Sequence, residues 1–261
     1  MVKTGMIDSL MSSLLPSLDP YIISAIIAIF LFSGIIKGFL GLGLPAAAMA
    51  LLTLLFEPTE AIALLSLPII VTNIFQFTRS KDRLETARRY KFFAFAIFVS
   101  IFVTAWHITA FPTNVLTIVI GMAMIVFSSQ LLFGLSFTIG GGVGWQVITG
   151  VIAGVLGGLS SIWSPPVVMY LVARKTPKEA FIAATGFLFL VGSFPLAVGL
   201  FLSGVLTSVA LIKSLLGLGA ALIGFRIGEM LRAHISQETF RKSVLIAFLI
   251  MGARLVINGL V

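Results

Sequence analysis

Chemistry in this sequence begins with a lysine. Lys37 sits in residues 34–45, GIIKGFLGLGLP, where four glycines and a proline interrupt an apolar run and no acid lies close by in sequence. The stretch holds Gly38, Gly41, Gly43 and Pro45. A looser counterpart at residues 150–166, GVIAGVLGGLSSIWSPP, holds Gly157, Gly158, Ser160, Ser161, Ser164 and Pro165. Glycine adopts dihedrals that break a helix, and proline is at ease in the first turn of a new one. Each break should therefore open a returning helix whose first N–H groups lack intrahelical partners and carry partial positive charge. Glycine-rich turns ahead of such a helix cradle anions, and the serines add hydroxyl donors. Close helix packing alone accounts for Gly34 and Gly38, but not for the prolines or the lysine.

The acids point the same way. All nine (Asp8, Asp19, Glu57, Glu60, Asp82, Glu85, Glu179, Glu229 and Glu238) fall outside the middles of the apolar runs. A lysine at the centre of a bilayer costs about 2.5–3.5 kcal/mol. Lys37 is then either the ligand of a bound anion or a structural lysine held by backbone carbonyls freed at the break. Lys213 reads as a lysine that snorkels or binds carbonyls, and Arg254, near the end of the last helix, carries no assigned role. Asn73 and Gln76 share one helical face and either line a pathway or bond across helices. Trp163, inside the second break, would shape or gate the site.

Catalysis has little support. Cysteine is absent, and so are HExxH, GxSxG and phosphate-loop motifs. A Ser/His pair would have to join His107 to Ser136 or Ser160. No catalytic residue, metal or cofactor is expected.

The elements that must position these residues are membrane helices. The 261 residues are 59% hydrophobic and only 10% charged, far below the quarter or so of charged residues usual in soluble domains. The apolar runs are continuous, which excludes a barrel. They cover residues 21–36, 44–56, 60–78, 91–111, 115–133, 145–159, 165–173, 180–202, 206–225 and 243–260. Six are long enough to span; the four beside the breaks are short. Residues 1–20 form an N-terminal segment with no cleavable signal.

Gly34, Gly38 and Gly41 align with Gly150, Gly154 and Gly157, and Glu57-Pro-Thr-Glu-Ala with Thr176-Pro-Lys-Glu-Ala, with a few residues inserted in the second break. Residues 21–134 and 145–261 then form two repeats. Thirteen of the 17 basic residues sit in three loops, at 79–91, 174–178 and 226–242. All three belong inside by the positive-inside rule, which explains the net charge of +8 without nucleic acid. Breaks that enter and return to their own side allow this; the alternative is single tilted crossings with a relaxed charge bias. The expected fold is an all-α polytopic membrane protein with two inverted repeats. Each repeat is a glycine/proline-broken re-entrant helix pair plus three spanning helices.

The broken, proline-containing glycine stretches in two halves, together with residues 217–257 (glycine-rich helix, basic loop, final helix with Arg254), resemble the TauE/SafE sulfite exporter family of bacterial membrane permeases. The resemblance implies transport of small anions such as sulfite, thiosulfate or sulfonates. The chain departs from the family pattern at Lys37, where small residues are usual, and in lacking three consecutive glycines at the second break. The expected function is a secondary transporter in the cell membrane, the inner membrane of a bacterium, whose partners are a small anion and lipid. The midplane anion site would lie between the broken helices. An anion channel, or a membrane-embedded enzyme or assembly factor, is the alternative.

Overall fold

Asp19 accepts a hydrogen bond from the Tyr21 amide at 2.9 Å, and Pro20 fills the first helical position. This cap starts helix α1 (Pro20–Leu40). The computed structural model describes residues 19–80, 82–134, 140–231 and 237–261, and within them the chain is built from helices. After α1 come α2 (Leu44–Leu52), α3 (Pro58–Leu64), α4 (Ser66–Thr78), α5 (Arg83–Arg89) and α6 (Lys91–Trp106). Then follow α7 (Thr113–Phe133), α8 (Val143–Ser160), α9 (Ser164–Ala173), α10 (Lys178–Leu202), α11 (Ser208–Leu231) and α12 (Gln237–Leu260). Ser136 lies outside the described residues, as do residues 1–18 of the N-terminal segment.

Among the described residues, seven segments are long and apolar enough to cross a membrane. Two of them are α1 and α8, which were expected to be short limbs. α1 has 21 residues, about 31 Å at 1.5 Å per residue. The helix runs straight through Gly34 and Gly38 because these glycines serve close approach, not a turn. A Cβ on Gly38 would lie 2.0 Å from the Phe225 carbonyl oxygen of α11, and one on Gly34 would lie 2.3 Å from that of Ala221. Segment Pro58–Thr78 crosses as α3 and α4 together. Pro68 cannot bond the Leu64 carbonyl, and the Leu67 amide turns instead to Ser214 Oγ at 3.1 Å. Helix α5, expected as loop, makes a 71° bend with α6.

The two breaks share one geometry. α1 ends on Gly41 at φ 82°, whose N–H reaches the Lys37 carbonyl at 2.7 Å. α8 ends on Ser161 at φ 59°, whose N–H reaches the Gly157 carbonyl at 2.7 Å. Both returning helices carry proline in the first turn. These caps correct the expected alignment. Gly34, Lys37, Gly38, Gly41, Gly43 and Pro45 fall opposite Gly154, Gly157, Gly158, Ser161, Trp163 and Pro165 without a gap. No inserted residues are needed. Lys37 itself lies in the last turn of α1, ahead of the break.

Each long limb docks on a helix of the other half. α1 lies parallel to α11, where Gly224 and Gly228 in turn meet the carbonyls of Leu31 and Ile35. α8 lies parallel to α6 in the same manner, with Gly150, Gly154 and Gly158 against Phe93, Ile97 and Thr104. The three basic loops share one face of the molecule. Glu229 joins Arg79 at 2.8 Å and Arg226 at 3.1 Å, and one cavity there is lined by Arg79, Glu229, Glu238, Arg241 and Ile182.

Gly38→Ala would drive a methyl into the α11 backbone, at a cost of about 1–3 kcal/mol. It should lower the thermal transition of the detergent-solubilised protein. Gly219→Ala on the same helix pair, with open space around it, should leave the transition in place.

Candidate functional site

The two breaks meet. Gly43 and Pro45 from the first line the same small cavity as Ser161, Trp163 and Ser164 from the second, with Lys37 and Asn73 on its wall. Lys37 is 2% exposed and Asn73 1%. Lys37 Nζ donates to Asn73 Oδ1 across the interface between α1 and α4. No acidic residue lines the cavity. Ser161 and Trp163 are buried, and neither Ser161 Oγ nor Trp163 Nε1 has a hydrogen-bond partner among the described residues. The N-caps of α2 and α9, Gly43 and Trp163, both stand on this cavity, so two helix N-termini add partial positive charge. A lysine, two unused donors and two helix starts thus converge on one cavity that no carboxylate lines. Its free volume is about 20 Å³, room for one water.

Not every expected residue is there. Gly38 packs on α11, and Gly41 caps α1 and lines the cavity on the basic face. Gly157 lies under Trp163 and Gly158 against Thr104. Ser160 Oγ donates to the Leu156 carbonyl at 2.6 Å and accepts from the Ile162 amide at 3.1 Å, so its donor is spent within the helix end. Pro165 lies in the first turn of α9 and lines an apolar groove with Met122 and Trp145. Gln76 bonds Thr185 Oγ1 at 3.3 Å and lines two cavities of about 450 and 620 Å³ on the basic face. Leu42 and Phe189, which sequence reading passed over, complete the lining. Leu42 also lines the larger basic-face cavity, so it stands between the two. His107 Nδ1 lies 2.9 Å from the Val103 carbonyl.

Lys213 departs from its expected snorkelling role. It bridges Glu60 at 2.8 Å and lies over the Phe56 ring at 5.1 Å. Glu60 in the first turn of α3 comes within reach because α3 packs against α11. Of the two lysines buried among the described residues, only Lys37 therefore lacks a carboxylate.

A family model described as "Sulfite exporter TauE/SafE" matches residues 26–255. The chain belongs to the TauE/SafE family. Membership places it among multi-pass membrane transporters and not among enzymes, in a family described by the export of sulfite. Neither a curated protein nor a solved structure gives a match. Within the TauE/SafE match fall both breaks, Lys37 and Asn73.

Asn73→Ala leaves the Lys37 ammonium buried without its acceptor and should destabilise the protein by about 1–3 kcal/mol. The double variant Lys37→Met/Asn73→Leu, which removes both polar groups, should recover most of that loss. Thermal unfolding of the wild type, Lys37→Met, Asn73→Leu and the double variant reads the coupling; additive losses would show that the two side chains do not act as a pair.

Proposed function

We propose that this chain is a secondary transporter of small sulfur-containing anions, sulfite, thiosulfate or sulfonates, binding them between the two broken helices. The observation that carries the reading is the acid-free cavity where Lys37, Ser161, Trp163 and two helix N-termini converge. Ser164, Gly43 and Pro45 complete the cradle. Gly41 and Gly157 act on it through the caps they form, and Gly38, Gly158 and Ser160 by holding the limbs in place.

The architecture behind this reading is a pair of inverted repeats, residues 21–134 and 145–261, each opening with a re-entrant pair. Three observations support it. The breaks have matching caps without a gap. α1 docks on α11 as α8 docks on α6. The start of α8 and the end of α9 both lie on the basic face, where Gln146 Nε2 bonds the Arg89 carbonyl at 3.2 Å and Gly141 lies against Arg174. The positive-inside rule makes that face cytoplasmic in a cell membrane, as for a bacterial inner-membrane permease.

A transport cycle follows from the cavities. Anions enter the basic-face cavity beside Gln76 and Arg79 and reach the cradle when Leu42 moves aside. Lys37 then exchanges Asn73 for the anion. A cradle with room for one water favours a carrier that opens alternately over a channel with a continuous aqueous path. The membrane potential drives anion exit by about 2.3 kcal/mol per charge per 100 mV, so export needs no coupling ion.

Reconstituted vesicles loaded with labelled sulfite should show saturable exchange with a panel of sulfur and carboxylate anions. Lys37→Met should lower it by about tenfold or more, and Ser161→Ala by less. Exchange that ignores Lys37 would remove the cradle from the path. The chain has no cysteine, so single cysteines at Glu57 and Lys175 report topology directly. Impermeant maleimide added outside cells should label the first and spare the second.

A further inference from the structure

A second polar cavity, of about 160 Å³, lies on the basic face, away from the paired breaks. Arg89, the last residue of α5, forms one side. Arg174, just after α9, forms the other. Between them are Tyr90, Tyr170 and the chain at Gly141 and Gly142 that leads into α8. No acidic residue lines this cavity, and neither arginine makes an ion pair with a described residue. Tyr90 is 4% exposed and Tyr170 3%, and the Tyr90 hydroxyl hydrogen-bonds no described residue. The Arg174 guanidinium rests on the backbone at Gly141, where a Cβ would come within 2.6 Å of Nη2. Glycine at that position lets the guanidinium lie flat beside the cavity.

Two arginines without an ion pair among the described residues line one small polar cavity, an arrangement for an oxyanion, although Arg89 also borders the larger basic-face cavity. The planar fork of each arginine matches two oxygens of a phosphate or phosphodiester, and the Tyr90 hydroxyl supplies a further donor, while the Tyr170 hydroxyl meets Gln146 at the cavity wall. The position also fits a headgroup. Trp145, half exposed in the first turn of α8, is an aromatic of the kind that marks the membrane–water interface. The elbow of α5 and α6 meets the same turn, where Gln146 Nε2 donates to the Arg89 carbonyl at 3.2 Å.

We infer that Arg89, Arg174, Tyr90 and Tyr170 form a phosphate-binding site that clamps the α5–α6 elbow to the two ends of the α8–α9 pair. Its ligand is a phosphodiester of an anionic lipid or free inorganic phosphate. The bound anion offsets the charge of the two arginines and ties α5 to α9, which raises the stability of the folded chain. This site shares no residue with the cradle at Lys37, and its existence does not depend on which anion is transported.

The test is the thermal transition of the full-length detergent-solubilised protein, titrated separately with phosphatidylglycerol, phosphatidylcholine and inorganic phosphate. Stabilisation by phosphatidylglycerol and not phosphatidylcholine, weakened about tenfold or more in Arg89→Gln/Arg174→Gln but kept in Arg88→Gln, assigns the site to a lipid phosphodiester. The same pattern with inorganic phosphate alone assigns it to the free anion. Either result supports the site. A stabilisation that is absent, or equal in the double variant, overturns it. Gly141→Ala, which displaces Arg174 without removing a charge, reads the same outcomes should the double variant not accumulate.

Discussion

A buried ammonium without a carboxylate is the constraint around which the rest of this protein is arranged. Lys37 is almost wholly removed from solvent and meets the amide oxygen of Asn73. An amide satisfies one of three ammonium protons and none of the charge. Lys213, also buried, shows the alternative, a direct ion pair with Glu60. The first-half break holds its lysine in a state that an arriving anion would relieve, with Ser161 Oγ and Trp163 Nε1 unused beside it.

Holding that arrangement requires backbone rigidity on both sides. Glycines set against carbonyl oxygens bring α1 onto α11 and α8 onto α6 at distances no side chain would allow. The long limbs are thereby fixed while the breaks stay short. The likeness of the two breaks stops at the cavity they share. Lys37 falls opposite Gly157, and Gly43 opposite Trp163. The indole fills on one side the space the lysine side chain fills on the other, with its ring against Gly192 and edge-on to Phe189 at 6.1 Å. The two breaks therefore bring unlike side chains to one cavity, a lysine from the first and an aromatic wall from the second.

Much of this was legible in the residue string, for identifiable reasons. Long apolar runs can only be membrane helices, and basic clusters gather on one face, so the helices and the shared face of the three loops followed. The limits of α1 and α8 did not, because glycine marks close packing and turns with the same letter. Gly34 and Gly38 do the first, Gly41 and Gly43 the second. The alignment of the breaks was misread because Ser161 adopts the left-handed conformation that Gly41 takes in the first half. Asn73 looked like one polar residue among several, since nothing local shows that it faces Lys37. Leu42 and Phe189 carry no signal at all in an apolar sequence; only the cavity they line reveals them.

The central claim is that an anion binds between the breaks at Lys37, and Trp163 sits there to report it. The chain has three tryptophans, so Trp106→Phe/Trp145→Phe leaves Trp163 as the single indole. Titrating sulfite into that protein should change Trp163 emission saturably, and adding Lys37→Met should abolish the change. An emission that does not respond to sulfite, or responds equally without Lys37, would contradict the account.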